Sequence, residues 1–89
     1  MKLNPYFQIQ QIGNSTVLLP SGKTGWRHHG VIQLDDQEEV VVVRCLVKET
    51  TEEELIAKVS HEIAKSKDDL DKIIRNVIQK LRDGGAIIE

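Results

Sequence analysis

The chain has 89 residues, 39% hydrophobic and 29% charged, with a formal net charge of −2 at pH 7. That length supports one domain over residues 1–89, burying about 60% of its unfolded surface. A lone cysteine excludes an internal disulfide and a multi-cysteine metal site, the longest apolar run (residues 40–43) is far too short to span a membrane, and the slight acidity argues against binding phosphate backbones.

The first residues, MKLNPYFQIQ, lack the apolar core of a signal peptide, so a cytoplasmic location is expected. Residues 6–12 alternate loosely, with Phe7 and Ile9 on one side and Gln8 and Gln10 on the other, a strand pattern. Gly13-Asn14 is a two-residue turn signal, and residues 15–19 form a second strand stopped by Pro20. Residues 5–20 are therefore expected to be a β-hairpin.

Residues 21–25 (SGKTG) have loop composition. They contain Gly-Lys-Thr, but a phosphate loop needs glycine five residues before Gly22, where Val17 stands. No strand-loop-helix pattern surrounds the segment, so no nucleotide site is assigned. Residues 26–34 (WRHHGVIQL) read as a third strand. Gly30 within it suggests a bulge or a close backbone approach.

Residues 35–47 carry two opposed signals. The run of valines favours a strand. The acidic opening, Asp35-Asp36-Gln37-Glu38-Glu39, is a helix N-terminus by capping and dipole logic. Helix is the reading taken, with Cys45 as a small core residue. Thr50 with Glu53, and Thr51 with Glu54, then satisfy the capping-box spacing of a second helix, whose buried stripe is Leu55, Ile56, Val59 and Ile63. Glu54 with Lys58, Asp68 with Lys72, and Asp71 with Arg75 are spaced as surface i,i+4 pairs.

The last third, residues 66–88, organises the rest. Leu70, Ile74, Val77 and Leu81 recur at helical spacing. Ser66 begins this helix with Asp69 three residues on, and Gly84-Gly85 ends it. Ile73 and Ile78 widen its apolar face beyond the needs of one packing partner. The expected order is β-β-β-α-α-α, an α+β arrangement of three short strands on three helices.

Catalytic chemistry is sparse. His28 and His29 point to opposite faces of a strand and cannot share one metal. His61 falls on the solvated side of its helix, and zinc needs three or four convergent ligands. No nucleophile sits in a recognisable turn, and so small a domain has little room for a deep pocket. An accessory binding protein is expected, not an enzyme, with no cofactor and no metal. What remains is a sheet edge: three strands cannot close a barrel, and an open edge beside an apolar helix face is a place for an extended peptide to add as a strand. Lys80, one turn beyond Val77, would flank that groove and meet an acidic peptide.

The pattern resembles the small PqqD-type proteins of pyrroloquinoline quinone biosynthesis, and more broadly the leader-recognition elements of ribosomally made, modified peptides. The resemblance covers roughly residues 15–88. It rests on Val17-Leu18-Leu19, on Ile32-Gln33-Leu34-Asp35 leading into the first helix, and on Thr50-Thr51-Glu52-Glu53-Glu54-Leu55-Ile56. Its strongest part is Ile74, Val77-Ile78, Leu81 and Gly85-Ala86-Ile87. The chain departs from that family in its first helix, where valines and Lys48-Glu49 stand for an aromatic and an Asp-Gly, and at Ile73, where the family often has an acid.

The resemblance implies a winged-helix-like domain with a three-stranded antiparallel sheet and three helices. It implies capture of a precursor-peptide leader as an added strand, and delivery to a modifying enzyme, often a radical S-adenosylmethionine enzyme. Carried onto this chain, the peptide edge is His28, His29, Gly30, Val31 and Ile32, and the groove wall is Leu70, Ile73, Val77 and Lys80. Partners expected are the leader and that enzyme, with neither nucleic acid nor membrane. An open edge also leaves the oligomeric state undecided. The alternatives are a winged-helix nucleic-acid binder, disfavoured by the acidic helix starts, and a subunit that stabilises an enzyme without binding peptide.

Overall fold

A computed structural model describes residues 1–20 and 31–88. The fold is α+β, with a three-stranded antiparallel sheet and three helices. In chain order the elements are β1 (Lys2–Leu3), β2 (Phe7–Ile12), β3 (Ser15–Pro20), β4 (Ile32–Leu34), α1 (Gln37–Cys45), α2 (Glu52–Glu62), α3 (Lys67–Asp83) and β5 (Ile87–Ile88). The expected β-β-β-α-α-α order thus lacked two short strands. β1 and β5 pair antiparallel with Leu3 opposite Ile87, apart from the main sheet β2-β3-β4. Two residues cannot show a period, so nothing local in the sequence marks them.

The hairpin forms as expected. Gly13 has φ 61° and, among the described residues, no non-glycine residue has positive φ, the pattern of a type II′ turn with glycine first. Its twist matches that of the flanking strands, and β2 and β3 pair without a bulge from Phe7 opposite Pro20 to Ile12 opposite Ser15. The third strand is described from Ile32 to Leu34, with Leu18 opposite Ile32. The expected loop at 21–25 and the strand residues 26–30 lie outside the described residues.

Residues 37–45 are helical, so the acidic opening prevails over the valine run. The reason is local. The Asp36 carboxylate accepts the Glu39 N–H at 2.9 Å, satisfying a donor that would otherwise be orphaned. Packing then rewards the helix, because Val40, Val42 and Val43 are all buried. Helix α2 starts with a full capping box: Thr51 Oγ1 accepts the Glu54 N–H at 3.2 Å, and Glu54 Oε1 accepts back from the Thr51 N–H at 3.4 Å. This commits Glu54 to its own helix start rather than to Lys58. Among the described residues none of the three expected i,i+4 pairs stands within ion-pair distance, which fits the small energy available to exposed pairs.

Ser66 caps α3, and the helix closes in a Schellman motif. The Ala86 N–H reaches the Leu81 carbonyl at 2.8 Å and the Gly85 N–H reaches that of Arg82 at 3.1 Å. Gly85 makes this possible with φ 71°, a value costly for any residue with a Cβ. The motif turns the chain back so that Ala86 is buried and Ile87 reaches β1.

One core joins all layers: Leu18, Ile32 and Leu34 from the sheet, Val42 and Val43 from α1 with Leu46 at its C-cap, Leu55 and Val59 from α2, and Leu70, Ile74, Val77, Ile78 and Leu81 from α3. Cys45 is half-buried rather than fully enclosed. Desolvation, tempered by Lys58, raises its thiol pKa above the usual value, as fits a packing role. Among the described residues, no helix is long and apolar enough to cross a membrane.

Candidate functional site

The free edge of β4 meets the C-terminal end of α3, and two contacts fix them together. The first is steric. A Cβ on Gly84 would lie 2.5 Å from Ile32 Cδ1, so the absence of a side chain at the helix end seats the β4 isoleucine. The second is ionic. Lys80 Nζ stands 3.1 Å from Asp35 Oδ2 and 3.0 Å from Glu39 Oε2. One ammonium therefore ties α3 to the end of β4 and to the first turn of α1. Burial disfavours its charge, but the hydrogen bonds to Glu39 and Asp35 prevail and raise its pKa above the ordinary lysine value. Nearby, Lys65 Nζ lies 2.6 Å from Glu38 Oε2 and holds the start of α3 to α1. That oxygen is shielded from water and receives charge rather than a well-angled hydrogen bond.

The backbone of β4 supplies the rest of the site. Ile32 and Leu34 are buried, while Gln33 between them is exposed. The main sheet has β4 at its end, bonded only to β3 among the described strands. By antiparallel alternation, Ile32 and Leu34 direct their N–H and C=O groups to β3, and Gln33 directs its pair outward. Val31, just before the strand, is 55% exposed. The edge thus offers a backbone donor and acceptor with no partner among the described residues, flanked by an exposed valine.

The residues expected from the sequence divide three ways. Val31 lies just before β4 and Ile32 begins it, with the Ile32 side chain in the core and its backbone groups directed to β3. His28, His29 and Gly30 lie outside the described residues. Of the helix residues, Leu70 and Val77 are each 2% exposed and belong to the core, so their side chains line no open groove. Ile73 is half-buried and packs against that core. Together with the buried Ile78, it shows that the wide apolar face of α3 is used to fill the interior. Lys80 stands beside the edge, but its charge is already matched by two carboxylates.

Helix geometry separates these residues further. Ile73 and Leu70 precede Lys80 by seven and ten positions, about 10 and 15 Å back along the axis. The contacts that join β4 to α3 are at Lys80 and Gly84, the far end of the helix. Sequence reasoning missed Asp35, Glu39 and Gly84 as members of this corner. The two acids read as helix-start residues, which they also are, and Gly84 read as a helix stop. Nothing within one helical turn marks a partner more than 40 positions away in the chain.

Among the described residues no group of three or more His, Cys, Asp and Glu could hold a metal ion. His61 is exposed on α2. No protein-family model, curated protein or solved structure matches this chain.

Proposed function

We propose that the chain is a stand-alone peptide-recognition module of winged-helix-like form. It captures the leader of a ribosomally made precursor peptide and presents it to a modifying enzyme of the radical S-adenosylmethionine class. The observation that supports this most is the exposed β4 edge at Val31 and Gln33, held rigidly beside α3 by the Lys80 ion pairs and the Gly84 seat. Strand addition draws affinity from backbone bonds and specificity from alternate side chains. A pre-fixed edge lowers the ordering cost of binding. Burial gives the wall a different composition from the one the resemblance implied. Ile73 and the aliphatic part of Lys80 are its accessible members, and Leu70 and Val77 support them from beneath.

Amide NMR of the labelled chain, titrated with a leader peptide encoded beside it, tests this reading. Shifts concentrated on Val31 to Gln33 and along the accessible stripe from Ile73 to Lys80 are expected. They should survive raised salt, because apolar and backbone contacts are little screened. Shifts confined to other surfaces, or none with about millimolar peptide, would remove the reading for that peptide.

A further inference from the structure

Among the described residues the main sheet has a second free edge, on β2, and its composition is unusual for this chain. No Asp, Glu, Lys, Arg or His occurs between Lys2 and Lys23, although 29% of the residues are charged. Soluble proteins ordinarily guard an open edge with charge, proline or a bulge. Strand β2 reads FQIQQI and has no charge and no proline. It pairs with β3 in unbroken register, so it has no bulge either. Residues 10–14 are all exposed, and Ile12 is 58% exposed.

The register also identifies which backbone groups are free. A two-residue turn closes on a pair that exchanges both bonds, here Ile12 and Ser15. Alternation then points the N–H and C=O of Gln8, Gln10 and Ile12 toward β3, and those of Phe7, Ile9 and Gln11 outward. The Phe7 N–H indeed bonds away from β3, to the Asn4 carbonyl at 2.9 Å. That bond ends the open stretch. Ile9 and Gln11 each keep an outward donor and acceptor with no partner among the described residues.

We infer that this edge docks against the same edge of a second copy, antiparallel about a two-fold axis at Gln10. In that register Ile9 stands opposite Gln11 of the second copy, and Gln11 opposite its Ile9. The outward groups of Ile9 and Gln11 on both strands then find partners, and the occupied Phe7 N–H is not required. Gln10 faces its own counterpart, where two amides can exchange hydrogen bonds, and the exposed Ile12 covers Gln8 of the other copy. The neutrality of the strand favours this occupant. A charged segment would have to desolvate its charges against an edge with none to answer them, whereas a second β2 brings no charge. The contact is isologous and closes at two copies. It makes one continuous sheet of twice the width and leaves both β4 edges at its outer ends, so the inference is independent of the leader reading.

Sedimentation equilibrium of the full chain tests the association. The wild-type mass should rise with concentration from one chain to two. Gln10→Lys sets two ammonium groups opposite each other and should weaken the dimer at least about tenfold. Its monomer should keep the wild-type melting temperature, because Gln10 is exposed. The register is tested separately in a Cys45→Ser background. Directly opposed residues in a non-hydrogen-bonded pair are within disulfide reach, so Gln10→Cys should cross-link under mild oxidation and Gln8→Cys should not. A wild-type chain still monomeric at about 1 mM, a dimer indifferent to Gln10→Lys, or preferential cross-linking through Gln8→Cys would each overturn the inference.

Discussion

The corner where β4 meets α3 and the tip of the β2-β3 hairpin are both parts of one sheet, yet they are built by opposite means. At the corner a glycine admits an isoleucine, an ammonium bridges two carboxylates, and Ile32 and Leu34 are buried. At the tip, residues 10–14 are all exposed and carry no charge. The corner is held by side chains from three elements, whereas the tip is exposed and is described only in its pairing of β2 with β3. Local stability should therefore fall from the corner to the tip, and a substitution should cost according to which end it touches.

The largest effect is expected where the corner rests on the core. Leu81 is fully buried one residue past Lys80. Leu81→Ala should lower unfolding stability by about 2–5 kcal/mol, read from the urea midpoint at unchanged slope.

Next comes Gly84→Ala, which forces the new methyl against Ile32 Cδ1. A loss of about 1–3 kcal/mol is expected. Ile32→Val removes that carbon, so a double-mutant cycle should show the two changes costing less together than their sum. Strict additivity would mean that the helix end and the strand are not in contact.

A smaller loss, about 0.5–1 kcal/mol at pH 7, is expected for Lys80→Met, since Asp35 is well exposed and the pair is partly screened. The pH dependence has a definite sign. The folded pKa of Lys80 is raised, so its stabilisation is fully present below the ordinary lysine value of 10.5 and is lost as pH rises through the higher folded value. The gap between wild type and Lys80→Met should close in that alkaline range and stay constant from pH 7 to 9.

The smallest effect belongs to the tip. Ile12→Thr keeps a β-branched side chain at an exposed position and should change monomer stability by no more than about 0.5 kcal/mol. A larger loss in dilute solution would show that the tip is packed after all.

How much the sequence disclosed follows the range of each signal. Gly13-Asn14, Thr51 with Glu54, Ser66 with Asp69, and Gly84-Gly85 each act within four positions, and each marks the boundary expected of it. The period of Leu70, Ile74, Val77 and Leu81 correctly put these residues on one face of α3, but period alone does not say what covers that face. The resemblance made Leu70 and Val77 a groove wall, and their spacing could not correct it because the burial supplied by the other layers is not written there. Lys80 was legible as a cation near an edge. Its two carboxylates were not, because Asp35 and Glu39 were already explained by the helix they begin.

The pairing of β1 with β5 bears on how the molecule assembles. Lys2 lies opposite Ile88, so this ladder closes almost the whole chain into a loop. Closure over that length is entropically the most expensive in the fold, and it is repaid by the short ladder, by the Leu3 N–H to the Leu46 carbonyl and the Asn4 N–H to the Ala86 carbonyl, both at 2.7 Å, and by burial of Leu3. The hairpin and the helices draw on near neighbours and can form early. The strand pair at the chain ends has to wait until α3 has docked and Gly85 has reversed its path. The clasp should therefore form after the rate-limiting step. Its loss would shorten the lifetime of the native state while leaving the rate of folding almost unchanged.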